Sequence, residues 1–302
     1  GSGSLGAIVE KPTKSALVTL LSAKLIIATK PPGSCGIFSS LISSLRSFSK
    51  SLPKNKGTVI VKHTNPCGVS INSNPIDSYK SALACDPISA FGGIVSCNFK
   101  IKKNLAVEFS KLFLEVIVAN GFDNDALKIL KTKKNLRVID ATNYSLSEVT
   151  KFNSSNEAIL VQSEDSKIFK NKDFKVVSKR KPNPKMLRNL IFAFNVCRYV
   201  KSNAVVLAKD ESIVGIGSGQ PSRLDSCEIA INKMRKFNLF GDNLVAASDA
   251  FFPFVDGIEK LVQSGVQAVI QPSGSIRDKE IIKFANETDT ILVFSKTRHF
   301  RH

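Results

Sequence analysis

The sequence has no tryptophan, three histidines and no apolar run long enough to cross a membrane. A bilayer-spanning helix takes about 20 consecutive apolar residues, so we expect a soluble protein without a membrane partner. The six cysteines include no C-x-x-C pair and no framework spacing, which disfavours a disulfide-bonded secreted fold and favours a reduced, cytoplasmic setting. The first residues also lack the charged and apolar regions of a signal peptide.

Basic residues outnumber acidic ones by 43 to 25, which gives a formal net charge of +18. A field of this sign attracts anionic partners, of which nucleic acid is the first to consider. The lysines are scattered, however, with short clusters at 131–134 and 179–181, and abundant Lys, Asn, Ile and Phe beside absent Trp reflect mutational bias as readily as function. We therefore disfavour nucleic acid; a phosphorylated or polycarboxylate small substrate is served by the same field.

Composition along the chain indicates more than one unit. The length, with a hydrophobic content of 43%, allows one large core or two medium ones and favours about two domains. From residue 58 onward, apolar β-branched segments, turn residues and helical patterns alternate, which is typical of an α/β protein. We divide the chain into an unassigned, atypical N-terminal segment (1–56), a first lobe (57–185) and a second lobe (186–302).

Periodicity predicts the elements of both lobes. Strands are expected at 59–61, 115–119, 136–139, 173–178, 204–208, 213–217, 266–272 and 291–294. Helices are expected from 75 or 76 to 84, at 105–113, 123–130 and 187–200, from 225 or 226 onward, and at 277–288. The strands at 204–208 and 213–217 predict a hairpin. Ser275 and Asp278 have the spacing of a capping box.

The stretch from Val59 to Gly68 holds the first candidate for chemistry. Its β-branched residues predict a buried strand that ends at Lys62 and His63, and Pro66 and Gly68 predict a break and a turn. Active sites of α/β proteins lie at such strand ends. Lys62 and His63 are therefore candidate functional residues, with a solvated lysine and a hydrogen-bonded rim histidine as the alternative.

Two glycine-rich segments are suited to close contact with a ligand. Gly92 and Gly93 precede an apolar strand and favour a backbone that passes near a ligand or another chain, with a tight loop as the alternative. The loop 217–222 leads into a helix beside Arg223, which predicts an anion cradle, although such loops also simply turn.

The C-terminal tail, 297–302, carries two arginines and two histidines directly after a predicted core strand. We expect this tail to be tucked into the fold at the rim that holds Lys62 and His63; a disordered basic end is the alternative. The segment 248–254 crowds three aromatic residues around a proline, which is most often a core arrangement.

Together these segments resemble the AICAR transformylase portion of the bifunctional AICAR transformylase/IMP cyclohydrolase family. The resemblance runs from about Gly57 to His302 and is carried by their order and spacing as well as by their residues. The matching segments are 62–68, 86–93, 201–204, 215–223, 248–254, 271–278 and 298–302.

The resemblance implies a fold of two cytidine-deaminase-like α/β/α lobes with mixed sheets and without zinc. A zinc deaminase needs H-x-E and P-C-x-x-C motifs. Here His63 is followed by Thr64 and Asn65, and no second cysteine stands three residues after Cys67. We therefore expect no catalytic metal.

The resemblance also implies a reaction, in which 10-formyltetrahydrofolate is the co-substrate and its formyl group passes to the amine of AICAR on the route to IMP. In the family the lysine and histidine of the K-H motif are catalytic, which points to Lys62 and His63, and Asn203 is expected to orient the reacting groups. An aromatic amine is a poor nucleophile, so a base must take up its proton while a cation stabilises the developing negative charge.

By the same match, the remaining site residues bind the substrates, and family members are homodimers whose sites are shared between chains. We expect Lys62, His63, Asn203 and Arg298 to meet around one cavity. The substrate-binding residues implied are Arg223, Arg298, His302, Phe251, Pro253, Asp256, Ser273 and Gly219.

The sequence also departs from the family. Residues 1–56 contain neither the Y-G-E-N-P-H-Q motif nor the L-S-Y-N-N segment, the cyclohydrolase half is absent, and Val255 stands where the family has an arginine. One hypothesis is that the chain is a fragment or frameshifted reading whose start does not belong to the family. The alternatives to an active transformylase are an inactive nucleotide-binding or dimerising module and, from another class, a nucleic-acid-binding protein.

Overall fold

The computed structural model describes residues 24–27, 35–143, 150–154, 159–163 and 165–301. Over these residues the chain is an α/β structure with one mixed sheet of twelve strands and a separate two-stranded hairpin. The strands are β1 (Lys24–Ile27), β2 (Gly57–Lys62), β3 (Asn65–Ile71), β4 (Gly93–Cys97), β5 (Leu114–Ala119), β6 (Arg137–Asp140), β7 (Thr150–Ser154), β8 (Ile159–Ser163), β9 (Phe174–Val176), β10 (Val205–Lys209), β11 (Ser212–Gly217), β12 (Val245–Ser248), β13 (Ala268–Pro272) and β14 (Ile291–Ser295). The helices are α1 (Cys35–Ser51), α2 (Pro75–Cys85), α3 (Pro87–Ala90), α4 (Lys103–Ser110), α5 (Asn124–Lys131), α6 (Pro184–Cys197), α7 (Arg223–Lys236), α8 (Val255–Gln263) and α9 (Asp278–Glu287).

The sheet is built from two halves with the same topology, in the order β1-β6-β5-β4-β2-β3-β11-β10-β12-β13-β14-β9. In the first half the hairpin β2–β3 is followed by β4, β5 and β6, which run parallel. The second half repeats this with the hairpin β10–β11 and the parallel strands β12, β13 and β14, so the hairpin predicted there is confirmed. The halves join where β3 lies antiparallel to β11, at Ser70 and Ser212.

Helices cover both faces of the sheet, because alternate residues of each strand point to opposite sides. Val59 and Val61 belong to a hydrophobic cluster that α1 and α6 cover across both halves, whereas Ile60 faces a cluster under α2, α4 and α5. A third cluster lies between the second half and α7, α8 and α9. No helix within the described ranges combines the length and the apolarity needed to cross a membrane.

The helix α1 brings part of the segment before residue 57 into the core. Ile42, Leu45 and Phe48 recur at steps of three, so they share one face, and each is at most 4% exposed. The ring of Phe48 stacks on Tyr199 with 3.8 Å between centroids. The division of the chain at residues 57 and 186 stays a prediction.

The turn after β2 differs from the prediction. A break at Pro66 and Gly68 is wrong, because the chain turns at His63 and Thr64 and both predicted breakers lie inside β3. The strand register shifts between Ile60 and Val61, opposite Pro66. Such an irregularity tolerates a proline, which cannot donate to the sheet.

The start of α9 also differs. The helix begins at Asp278 with Arg277 as its N-cap, so the predicted capping box forms only in part. The carboxylate of Asp278 accepts the backbone N–H of Ser275 (3.2 Å), as the box requires, and also that of Gly274 (2.8 Å), whereas the Ser275 hydroxyl accepts from Arg277 N (3.1 Å) and not from Asp278.

Candidate active site

Lys62 and His63 lie where the hairpin β2–β3 turns. His63 and Thr64 both have positive φ, of 54° and 95°. Such a backbone is strained for a β-branched threonine, and strain of this kind clusters at functional sites. The two-residue turn leaves the imidazole of His63 exposed while Lys62 stays half-buried.

The ammonium of Lys62 donates a hydrogen bond of 2.7 Å to the carbonyl of Gly92. Gly92 has a φ of +67°, and a Cβ at this position would lie 2.8 Å from Nζ of Lys62. The glycine therefore provides both the left-handed backbone and the space that the ammonium occupies. The paired glycines do mark a close backbone approach, here to a side chain of the same chain.

A cavity of about 270 Å³ opens beside this lysine. Its wall combines both halves of the chain, which are also joined by a hydrogen bond of 3.3 Å from Ser218 Oγ to Asn65 Oδ1. The lining residues are Lys62, His63, Asn65, Pro66, Cys67, Cys85, Asp86, Ser89, Ile216, Ser218 and Lys233.

Asp86 and Lys233 form an ion pair in the cavity wall. Asp86 also caps α3, accepting Ser89 N at 3.0 Å and Ser89 Oγ at 2.6 Å. Partial burial raises the pKa of Asp86, but the hydrogen bonds from Lys233 and Ser89 outweigh it and hold the pKa below its ordinary value. Sequence reasoning missed both residues. The order Asp-Pro-Ile-Ser could have identified Asp86 as a helix cap. Nothing in the sequence around Lys233 indicates a partner 147 positions away.

Cys67 is the wall residue that most resembles a nucleophile. Burial is the main reason why the pKa of its thiol is raised to about 12. Because the thiolate is the reactive form, Cys67 stays inert at neutral pH. The five cysteines whose side chains are described are all free.

Asn203 and Arg223 form a second group of predicted site residues. Asn203 accepts from Arg223 Nη2 at 2.7 Å and donates to the carbonyls of Gln220 and Pro221, both at 2.9 Å. Arg223 also pairs with the fully buried Asp249, and its own side chain is 9% exposed. The predicted cradle residue Gly219 lies beside them, with a φ of +70° and open space at its Cα.

Arg298 belongs to a third group. Its guanidinium lies over the ring of Phe251 at 4.6 Å, and Gly274 leaves room for its Nη2. Pro253 and Asp256, which follow Phe251 closely in the sequence, are exposed to solvent. The hydroxyl of Ser273 donates a hydrogen bond of 3.2 Å to the carbonyl oxygen of Ser295.

The C-terminal tail packs against the fold at His299 and Arg301, while Arg298 and Phe300 are exposed; its predicted place at the rim of Lys62 and His63 stays a prediction. His299 is 1% exposed, and its backbone N–H donates to Asp249 O at 2.8 Å. Arg301 exchanges hydrogen bonds with Ser202, which ties the tail to the residue before Asn203. The predicted site residue His302 lies outside the described residues.

The predicted site residues therefore fall into three groups. Lys62 and His63 line the cavity, but Asn203 and Arg298 are not among its lining residues in the described part of the chain. The second and third groups are connected through Asp249. Its carboxylate pairs with Arg223, and its backbone carbonyl accepts the N–H of His299 in the tail. No cluster of three or more potential metal ligands occurs among the described side chains.

The model of the AICARFT/IMPCHase bienzyme family matches residues 41–233, well over half of the chain, from α1 through the cavity to Lys233. The chain belongs to this family. Among its relatives, the bifunctional purine biosynthesis protein PurH of Persephonella marina is 46% identical over 246 residues, which are 81% of this chain and 47% of that protein. PurH of Caldicellulosiruptor bescii is 47% identical over 247 residues, again 81% of this chain and 47% of the relative.

The chain spans about half the length of these AICARFT/IMPCHase relatives. Of the predicted site residues, the family model includes Lys62, His63, Asn203, Gly219 and Arg223.

Proposed function

We propose that the chain transfers the formyl group of 10-formyltetrahydrofolate to the amine of AICAR, giving FAICAR and tetrahydrofolate in IMP synthesis. The observation that carries this proposal is the pairing of an ammonium and an imidazole, Lys62 and His63, on the wall of one cavity within the region that the family model matches. The names of the relatives, which assign those proteins to purine biosynthesis, support the same reaction.

In the proposed step, the AICAR nitrogen attacks the formyl carbon and the formyl oxygen takes up negative charge. One N–H of Lys62 is bound to Gly92, so two remain to stabilise this oxygen. His63 accepts the proton that the amine loses. When the bond from the formyl carbon to the folate nitrogen breaks, the same proton passes to that nitrogen, which balances the reaction.

We assign supporting roles to the second and third groups. Asn203, held from three sides, orients the reacting groups, and Arg223 fixes Asn203 while it neutralises Asp249. Arg298 and Phe251 offer a cation and an aromatic face, which fit an anionic nucleotide and a folate ring. Binding roles for Arg223, Gly219, Ser273, Pro253, Asp256 and His302 stay predictions.

We further propose a homodimer in which the Arg298 group of one chain completes the Lys62 cavity of the other. This arrangement is supported by the lining of the cavity, which within the described chain includes neither Arg298 nor Phe251. The likeness of the two lobes to cytidine deaminases and a cytoplasmic location likewise stay predictions.

A spectrophotometric assay of tetrahydrofolate release from AICAR and 10-formyltetrahydrofolate tests the function. Activity that is lost in Lys62→Ala and His63→Ala is the expected result. A folded protein without activity would contradict the proposal and favour the inactive nucleotide-binding or dimerising module.

A further inference from the structure

We propose that Lys233 is a positioning residue for the catalytic lysine, acting from the second lobe through Asp86. The inference rests on the proposed function. It explains how the second half of the chain, which carries Lys233, controls the position of the Lys62 ammonium.

The first step is the fixed position of α7, which carries Lys233. The helix lies so close to β11 that a Cβ on Gly217 would be 1.8 Å from the carbonyl oxygen of Ser226. Met234, next to Lys233, is fully buried. The backbone at Lys233 therefore cannot shift without opening the core between α7 and the sheet.

The second step is the contact across the cavity. The ammonium of Lys233 pairs with the carboxylate of Asp86, whose side chain is 9% exposed. The same carboxylate holds the N–H and the hydroxyl of Ser89 and so defines the single turn of α3. A helix of four residues is too short to be stable alone, so its position depends on such contacts.

The third step leads from α3 to Lys62. Buried Ala90 ends the helix, and two residues later Gly92 accepts the ammonium of Lys62 on its carbonyl. Gly92 N in turn donates to Phe113 O at 2.8 Å. This bond fixes one side of Gly92, but because only Phe91 separates Gly92 from α3, a displaced α3 moves the carbonyl that holds Lys62.

Charge gives Lys233 a second effect. Without its ammonium, the Asp86 carboxylate would face the cavity unpaired and would attract Lys62 away from the reacting oxygen. The ion pair therefore keeps the charge of Lys62 available for the reaction.

The test compares Lys233→Met with Lys233→Arg, and uses Lys260→Met as the matched control because Lys260 pairs with Glu228 between α7 and α8, away from the cavity lining. We expect kcat to fall about tenfold or more in Lys233→Met, since small misplacements of catalytic groups are costly, with KM for both substrates changed less than about threefold. Lys233→Arg restores most of kcat, and Lys260→Met is unchanged. Unchanged kcat in Lys233→Met would overturn the proposal, as would an equal loss in Lys260→Met.

A second measurement does not depend on activity. Limited acetylation followed by mass spectrometry reports how readily the Lys62 amine reacts, and we expect labelling of Lys62 to change at least about twofold in Lys233→Met and in Asp86→Asn but not in Lys260→Met. The double variant Asp86→Asn/Lys233→Met should match Asp86→Asn, because once the carboxylate is neutral the loss of the Lys233 ammonium breaks no further contact. If the unmodified protein proves inactive, the proposed function fails while this labelling still decides the role of Lys233; equal labelling in all variants would refute it.

Discussion

Nη2 of Arg223 donates to Oδ1 of Asn203 over 2.7 Å, while Nη1 of the same guanidinium pairs with the fully buried carboxylate of Asp249. One arginine thus neutralises a buried charge and orients the amide proposed to align the substrates. The two N–H groups of that amide are taken by backbone carbonyls, so its orientation is fully specified.

Replacing Arg223 by methionine should destabilise the protein by about 3–5 kcal/mol, because it leaves the buried Asp249 carboxylate unpaired. Urea unfolding measures the change. Arg188→Ala, which removes an exposed contact to Glu211, should cost less than about 1 kcal/mol. If both variants lost the same free energy of unfolding, the unpaired Asp249 carboxylate would not be the cause of the destabilisation.

Gly92→Ala should lower kcat at least about tenfold, because the added Cβ would displace the ammonium of Lys62. Its effect on stability should stay near the ~1–2 kcal/mol cost of a left-handed alanine, since the displaced group is the end of a flexible side chain. Gly265→Ala is the control: Gly265 also has a positive φ, but no heavy atom lies within 4 Å of the position that the added Cβ would take. Steady-state kinetics and thermal unfolding of both variants distinguish strain from displacement.

Asp86 should contribute to stability at neutral pH and lose that contribution in acid. The folded protein holds the pKa of Asp86 below the ordinary value of 3.8, so the carboxylate form is favoured by folding and protonation removes this advantage. The difference in Tm between the unmodified protein and Asp86→Asn should therefore be constant above about pH 5 and shrink between about pH 5 and 2. A Tm difference between the two proteins that grows as the pH falls would contradict the prediction.

Mixing two inactive variants tests the shared site. If Arg298 of one chain completes the Lys62 cavity of the other, co-refolded Lys62→Ala and Arg298→Ala chains should regain about a quarter of the activity, because half of the dimers are mixed and each has one intact site. The matched control combines Lys62→Ala with His63→Ala, whose residues share a cavity wall, and should regain none. If neither mixture regained activity, Lys62 and Arg298 would have to act within the same chain.

Much of the fold follows from local pattern. The β-branched run around Ile60 predicts β2, and the stripe from Leu187 to Val200 predicts α6, because burial on one or both faces repeats with the period of the element. The helix α1 was not assigned, since serines interrupt its apolar face. Only its packing on the sheet identifies Ile42, Leu45 and Phe48 as one stripe.

The site is less accessible from sequence than the fold. Lys62 and His63 were found because two polar residues end an apolar strand. The contact between Asp86 and Lys233 was missed because it joins the two halves of the chain and follows from how these halves meet at β3 and β11. The same limit applies to Arg223, whose proximity to Asp249 no local rule predicts.

The repeated topology of the two halves gives the sheet a second hairpin turn equivalent to that of Lys62 and His63. Asp210 and Glu211 occupy it, with φ of 51° at both residues, but there Lys185 holds the Asp210 carboxylate at 2.7 Å and Asn189 accepts the N–H of Glu211 at 2.9 Å. The second turn is therefore anchored to α6 by two side-chain contacts, whereas the first leaves His63 exposed. Lys209 already stands where Lys62 does, at the end of the first strand of the hairpin, and its ammonium donates to Phe240 O at 2.7 Å. A histidine in place of Asp210 would therefore recreate the Lys-His pair, but it would remove the ion pair that holds this turn to Lys185.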